Sequence, residues 1–513
     1  MKAQKRYDAL STGRSQFLNI AEQAADLTLP YLIHEDQYYK QSARPLLTPF
    51  QSVGAKGCVT LAAKLMLALL PPQTSFFKLQ VDEKMLGQIG DPSIKSELDL
   101  AFSKIERTIL EAIAASDDRV IVHQALKHLV VAGNALVFMS KEGLKLYPLS
   151  RYVIERDGDG NVLEIVTKER ISRKIVEEQF DIKPPETNSI SDPSYAGDDD
   201  VDVYTYVRRI RNSFVWHQEV YDQIIESTRS KAPLESNPWI VMRFNVSDGE
   251  AYGRGRVEEF IGDLRSLESL TQALVEGSAA AAKVVFTVSP SSTTKPSTLS
   301  RAQNGSIIQG RPDDIGVITV GKTADFATAL QMIATLERRL SEAFLILTVR
   351  DSQRTTAEEV RMTQMELEQQ LGGLFSLLTV DFLKPYLNRK LSVFQRSGDI
   401  PKLPKGIVKP VIVAGLNALG RGQDRESLSQ FLMTIAQTMG PEAIGQYINP
   451  SEVVKRLAAA QGIDTLNLVK TEEQIAQENQ ASMQQQQQME LTKQTGKLAE
   501  VEQSAQEAQL QQQ

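Results

Sequence analysis

Apolar residues fall on a helical period over long stretches of this chain and on a β pattern in a few limited ones. From Val257 to about Ala282, Phe260, Leu264, Leu267 and Leu274 are spaced by 4, 3 and 7 residues, one apolar stripe on a helix. Such a helix is about 39 Å long. Phe326 to about Leu345 repeats the pattern with Leu330, Ile333, Leu340 and Phe344. Between the two helices the β-branched runs VVFTV and IGVITV predict strands. The intervening SPSSTTKPSTLS, with Gly305, Gly310 and Pro312, is loop chemistry. After the second helix comes ILTVRDSQRTTAEE, in which Arg350 and Arg354 flank Asp351. Thr355 with Glu358, and Thr356 with Glu359, have capping-box spacing. They open a third helix, from near Ala357 to about Ser397, about 60 Å long if straight. Gly372–Gly373 and Pro385 interrupt it, and such residues kink helices.

The remaining chain is read in the same way. Residues 1–30 predict a helix ending near Pro30, and 31–50 an extended arm or loop. Gln51 to Leu70 is a strong helix stopped by Pro71–Pro72. FFKLQV is a short strand, and Asp99–Ala115 and Val120–Leu129 are helices. From Ala132 onward strands follow, with Glu142-Gly143 and DGDGN (157–161) as hairpin turns. Residues 163–180 fit either strand or helix. Residues 183–200 are a surface loop, and 201–245 form one antiparallel β unit. Pro401, Pro404 and Pro410 mark a linker, and Asp424–Gln461 a small helical domain. The fold class is mainly α with β insertions, an α+β chain.

Composition narrows the function. The 513 residues carry 42% hydrophobic and 24% charged residues, ordinary for globular proteins and enough for several domains. The single cysteine, Cys58, predicts a buried thiol rather than a disulfide framework. MKAQKRYDAL has no apolar signal region, and LMLALLPP is too short to span a membrane. The net charge is −7. The tail from Thr471 to Gln513, with fifteen glutamines and no aromatic residue, holds −5 of it, a composition of disorder or of an exposed helix. Arg254–Thr356 is near neutral, with twelve basic and eleven acidic residues. A duplex-gripping domain is strongly basic. Near-neutrality suits DNA that slides, and equally suits no DNA contact.

Several motifs dissolve on inspection. Gly316-Val-Ile-Thr-Val-Gly321-Lys322-Thr323 spells a phosphate-binding loop. Its interior, however, is a strand by propensity and GRPDD before it is a turn; only the helix that follows favours nucleotide. It reads as a strand turning at Gly321 into the second helix; an ATP-driven DNA translocase using this string is the alternative function. DGDGN has Val162 where a calcium loop needs glycine and Lys168 where it needs glutamate. Asp198–Asp200 reads as a solvated acidic run. His123 and His128, five apart, do not share a helix face as zinc ligands would. No catalytic residue, cofactor site or metal site emerges, so the chain is read as a non-enzyme.

Seven strings carry a resemblance: LAAKLMLALLPPQT (61–74), ALKHLVVAGNALVF (125–138), LYPLSRYVIERDGDGNVLEIVT (146–167), YGRGRVEEFIGDLRSLESL (252–270), TAEEVRMTQMELEQQLGGLFSLL (356–378), GLNALGRGQDRESL (415–428) and GIDTLNLVKTEEQ (462–474). In this order they resemble the portal, or head-to-tail connector, family of short-tailed, podovirus-type phages. The resemblance implies a wing over 1–250, helical to 135 and β-rich from 136. It implies a first stem helix over 251–282, a clip over 283–322 and a second stem helix over 323–345. A tunnel loop over 346–356, a kinked spine helix over 357–398 and a crown over 399–470 follow, before the Gln-rich tail, 471–513. It also implies a ring, of twelve subunits in the family, at one capsid vertex of the virion, assembled in the host cytoplasm. Its partners are the major capsid protein, a scaffolding protein, a packaging ATPase (terminase), tail adaptor proteins and double-stranded DNA, without membrane insertion by the chain itself. From the residues alone, Arg350 and Arg354 sit in an exposed connector offset by Asp351. The resemblance instead places them as rings in the DNA channel. Arg338 and Arg339 are further channel candidates, with subunit bridging through Glu337 or Glu342 equally open.

Overall fold

The computed structural model describes residues 2–33, 46–71, 75–81, 92–140, 142–180, 200–281, 285–291, 295–303, 307, 309, 311, 313, 315–318, 323–346, 372–401, 408–412, 421–440, 448 and 453. The chain divides into two units, Met1–Ala418 and Leu419–Gln513.

The first unit is built around α4 (Asp118–Ala132), whose second half is almost wholly buried. Packed about it are α1 (Ala3–Asp26), α2 (Val53–Leu69) and α3 (Pro92–Ala115). The α4 helix ends at Gly133, φ +74°, the left-handed stop that glycine accepts without a Cβ penalty. A Cβ there would meet the Arg254 carbonyl carbon at 2.5 Å. The chain turns into β2 (Asn134–Met139), the middle of a sheet ordered β3–β2–β9, with β3 Leu144–Tyr147 and β9 Trp239–Arg243. A second sheet is a five-stranded meander of β4 (Tyr152–Arg156), β5 (Val162–Ser172), β6 (Asp200–Ile210), β7 (Ser213–Val220) and β8 (Gln223–Pro233). The single β unit expected over 201–245 is therefore two. Every residue of β9 is buried, which suits a strand covered on both faces. Edge strand β8 is mostly exposed. The ambiguous stretch 163–180 resolves into β5 and a helix, α5 (Arg173–Phe180).

The first predicted long helix is broken. A short α6 (Arg256–Glu259) ends at Phe260, and α7 runs from Ile261 to Ala281. The Phe260 ring lies 4.9 Å beneath the Arg256 guanidinium and 6.1 Å from the Phe344 ring. The two predicted β runs are strands, and they pair: β10 (Val285–Val288) is antiparallel to β11 (Ile315–Ile318), with the short α8 (Pro296–Arg301) between them. The second helix, α9, spans Thr323–Ala343 and packs on α7. Leu264, Leu267, Ile333, Leu340 and Phe344 are buried, but Leu330 is 53% exposed despite its place on the predicted stripe. Burial is concentrated where the pair meets the α2 side of the body. Farther out Phe326 lies on Gly277, and Val275, Leu330 and Met332 face solvent.

Residues 372–378 are helical, then a π turn, Thr379–Leu383, leads into α10 (Lys384–Ser397). Pro385 explains the position. Its ring clashes with the carbonyl four residues back, and the wider π turn relieves that clash. The proline-marked linker holds a strand: β12 (Val408–Ile412) pairs antiparallel with β1 (Phe77–Val81), Pro410 opposite Leu79. The Leu79 N–H donates to Glu106 at 2.6 Å rather than to β12. Pro410 therefore lacks an N–H only at the outer edge, where no ladder bond is lost. In the second unit α11 (Arg421–Met439) is described, with Phe431, Met433 and Met439 exposed. Among the described residues no helix is long and apolar enough to cross a membrane.

Candidate functional site: the helix pair and its anchored end

The predicted site residues do not come together in one constellation. Arg350 and Arg354 lie outside the described residues, as do the capping-box residues, Gly321, Lys322, Asp198, Asp199 and the Gln-rich tail. Arg338 and Arg339 are both on the outer surface of α9, turned about 100° from each other as neighbours on a helix must be. Arg339 pairs with Asp263 of α7 at 2.9 Å. This cross-link within the chain occupies its charge but contributes at most about 1 kcal/mol, because it is exposed. Arg338 has no partner among the described residues.

The α9 helix is anchored at its C-terminal end by contacts that periodicity does not reveal. Phe344 fills the space over Gly57 of α2, where a Cβ would stand 2.7 Å from its ring. Leu345 follows with φ +56°, a left-handed conformation that costs leucine about 1–2 kcal/mol. The Leu345 N–H donates to the Glu342 carbonyl at 3.1 Å and the Ile346 N–H to the Ser341 carbonyl at 2.8 Å. This is a Schellman stop with leucine in the glycine position. Two cations cap it. Lys64 Nζ donates to the Leu345 carbonyl at 2.5 Å, and Arg256 donates to the Ala343 carbonyl from Nε at 3.3 Å and Nη2 at 3.1 Å. Burial lowers the Lys64 pKa. A cleft of about 110 Å³ beside this turn is lined by Leu61, Phe244, Arg256, Leu345 and Leu374. The cleft thus lies between the end of α9 and Leu374.

The decoy motifs resolve structurally. Gly316 lies inside β11, opposite Thr287 of β10, so the GVITVGKT string begins in a paired strand rather than a loop. The Asp157 carboxylate accepts the Asp159 and Asn161 N–H groups at 3.1 and 2.7 Å. Its hydrogen bonds, first that from the Asn161 side chain, hold its pKa below the usual range. DGDGN is a hairpin turn. Cys58 is fully buried, and burial pushes its thiol up to about 12. Among the described residues no cluster of three metal-ligating side chains occurs.

Comparison with known proteins gives one family. The profile described as bacteriophage head to tail connecting protein matches residues 1–469. The portal protein of Enterobacteria phage T3 is 38% identical over 485 residues, spanning 92% of this chain and 89% of that protein. The portal protein of Escherichia phage T7 is 38% identical over 502 residues, 94% of this chain and 91% of that one. That of Enterobacteria phage SP6 is 29% identical over 488 residues, 93% and 91%. A solved chain from the virion of a native gene transfer agent particle covers 80% of this chain and 90% of its own, at 10% identity and a TM-score of 0.38. That likeness is too faint to carry an argument.

Proposed function

Because the chain belongs to the family of bacteriophage head to tail connecting proteins, we propose that it is a phage portal protein, a ring at one capsid vertex through which double-stranded DNA is packaged and later ejected. The observation that carries this reading is 38% identity to the T3 and T7 portal proteins along nearly the whole of both chains. Helices α7 and α9 are the stem around the channel, the β10–β11 unit the clip, and the segment that ends in α10 the spine. The two sheets belong to the wing and α11 to the crown. The ring, of twelve subunits, docks a packaging ATPase and tail proteins after assembling with scaffold and major capsid protein.

The physical chemistry supports this reading. The outer halves of α7 and α9 expose Val275, Leu330 and Met332, which neighbouring subunits cover in a closed ring. The near-neutral stretch Arg254–Thr356 lets DNA slide, since each tight phosphate contact slows passage. Arg350 and Arg354 form the channel's arginine rings. Arg338 is free to contact DNA or a neighbour, whereas Arg339 is engaged by Asp263. Electron-microscopic imaging of the purified protein tests the proposal. Closed rings with a central hole are expected, and a protein that stays monomeric even with scaffold overturns it. Charge reversal of Arg350 and Arg354 leaves rings intact but lowers DNA packaging or retention; unchanged packaging removes those residues from the channel.

A further inference from the structure

We infer that Lys64 and Arg256 are positioning residues: by capping the last turn of α9 they hold Leu345 in its left-handed conformation, and so fix the direction in which the chain leaves α9 toward Arg350 and Arg354. The inference rests on the portal reading only for what that following chain does. The joint itself stands on the geometry. A helix C-terminus carries partial negative charge on its free carbonyls. Here the Ala343 and Leu345 carbonyls take cationic donors from α6 and α2, elements distant in sequence. Arg256 is itself aimed: its Nη1 donates to Glu259 at 2.6 Å, and Glu259 accepts from the Asn245 side chain at 2.5 Å. Its flat face lies over Phe260, which touches the Phe344 ring region. Phe344 in turn fills the gap over Gly57.

The strain at Leu345 gives this joint two states. Leucine leaves the left-handed region readily when nothing holds it, because its Cβ crowds the following carbonyl there. The retaining forces are the two capping cations and the Schellman bonds. When either cation goes, the stop unwinds locally and the exit direction is lost. Glycine at 345 removes the strain, so the stop then persists without full capping.

Amide hydrogen exchange on the full-length protein tests this, read on peptides covering 340–346. Lys64→Met and Arg256→Met keep the side-chain stems. Each is expected to speed exchange at Leu345 and Ile346 by roughly tenfold or more, the size set by losing a hydrogen bond from a charged donor. Peptides from α4 serve as the control for global folding and stay unchanged. Lys64→Arg is expected to retain protection, and Leu345→Gly combined with Lys64→Met to restore it. Unchanged exchange in both cation variants, or no restoration by glycine, overturns the joint. Imaging the same variants separates this from the portal reading: missing rings in the wild type refute the portal, while the exchange result stands either way.

Discussion

Asp118 offers a quantitative test of how the long helix is held to the body. Its carboxylate is 1% exposed at the first turn of α4. It accepts the Tyr386 hydroxyl at 2.6 Å and faces the Lys390 ammonium at 2.6 Å, both on α10. Burial, then the Asp118 charge, raises the Tyr386 pKa well above its usual value, so the phenol stays a donor. Asp118→Ala strands a fully buried hydroxyl, which costs about 1–3 kcal/mol, together with a largely buried ammonium. Breaking such a pair from one side costs about 3–5 kcal/mol in all. Lys390 retains 17% side-chain exposure and can reach water, so the lower figure, about 3 kcal/mol, is expected. Urea unfolding followed by the fluorescence of Trp216 and Trp239 measures it. The double variant Asp118→Ala/Lys390→Met should lie at least about 1 kcal/mol above the additive expectation, since the stranded charge is gone. A loss under about 1 kcal/mol in the single variant, or strict additivity in the double, would refute the reasoning.

Asp381, in the π turn, behaves in the opposite sense. Burial raises its pKa against the pull of Arg243 and Arg156, and its approach to Arg243 is a loose 3.9 Å. A carboxyl with a raised folded pKa holds its proton more tightly when folded. Stability therefore falls as pH rises from the unfolded value, near 3.9, through the folded one. Asp381→Asn should be at least as stable as the wild type at pH 7, the difference closing below about pH 4; a loss above about 1 kcal/mol at pH 7 contradicts this. Cys58, its thiol raised to about 12 and fully buried, should react with a thiol reagent only as fast as the protein opens; rapid labelling of the folded chain would show otherwise. Gly133→Ala should cost about 2–4 kcal/mol, because a left-handed alanine there also overlaps the Arg254 backbone; a shift within 1 kcal/mol by urea unfolding excludes this packing.

The long-range plan was legible wherever one face of an element meets the core. The α2 and α4 helices, the DGDGN hairpin and the β10 and β11 strands follow directly from apolar spacing, β-branched runs and turn residues. The departures have local physical causes. Helix propensity ran through Phe260 because nothing in sequence shows Arg256 bending back to the Ala343 carbonyl. The strand containing Pro410 was hidden because a proline on an outer edge loses nothing, yet reads as a linker. The β9 strand left its sequence neighbours to pair with β2, buried along its whole length, and a run without alternation cannot say which sheet it joins. The anchored end of α9 was not legible at all. Lys64 is an ordinary lysine on a helix, and its target is a backbone carbonyl, which has no sequence signature. Of the two predicted arginines among the described residues, Arg339 has a partner, Asp263.

The core of the first unit is buried within one subunit, whereas the outer part of the helix pair exposes Val275, Leu330 and Met332. The β10–β11 unit has two strands, and an isolated pair of strands is marginal in water. No residue of α8 is buried, and Lys295, Arg301 and Arg311 are all exposed. In the proposed ring, neighbouring subunits would supply order there, which makes it depend on assembly and hence on concentration. Limited trypsin digestion should therefore cut after Arg301 first in dilute, unassembled protein, well before sites in α2 or α4, while Lys295 and Arg311 are spared because Pro296 and Pro312 follow them. The Arg301 site should become resistant in isolated rings, because cleavage of a transiently open segment follows the population of the open form. If Arg301 is cut equally fast in subunit and ring, neighbours do not complete this part of the fold, and the exposed Val275, Leu330 and Met332 await a different partner.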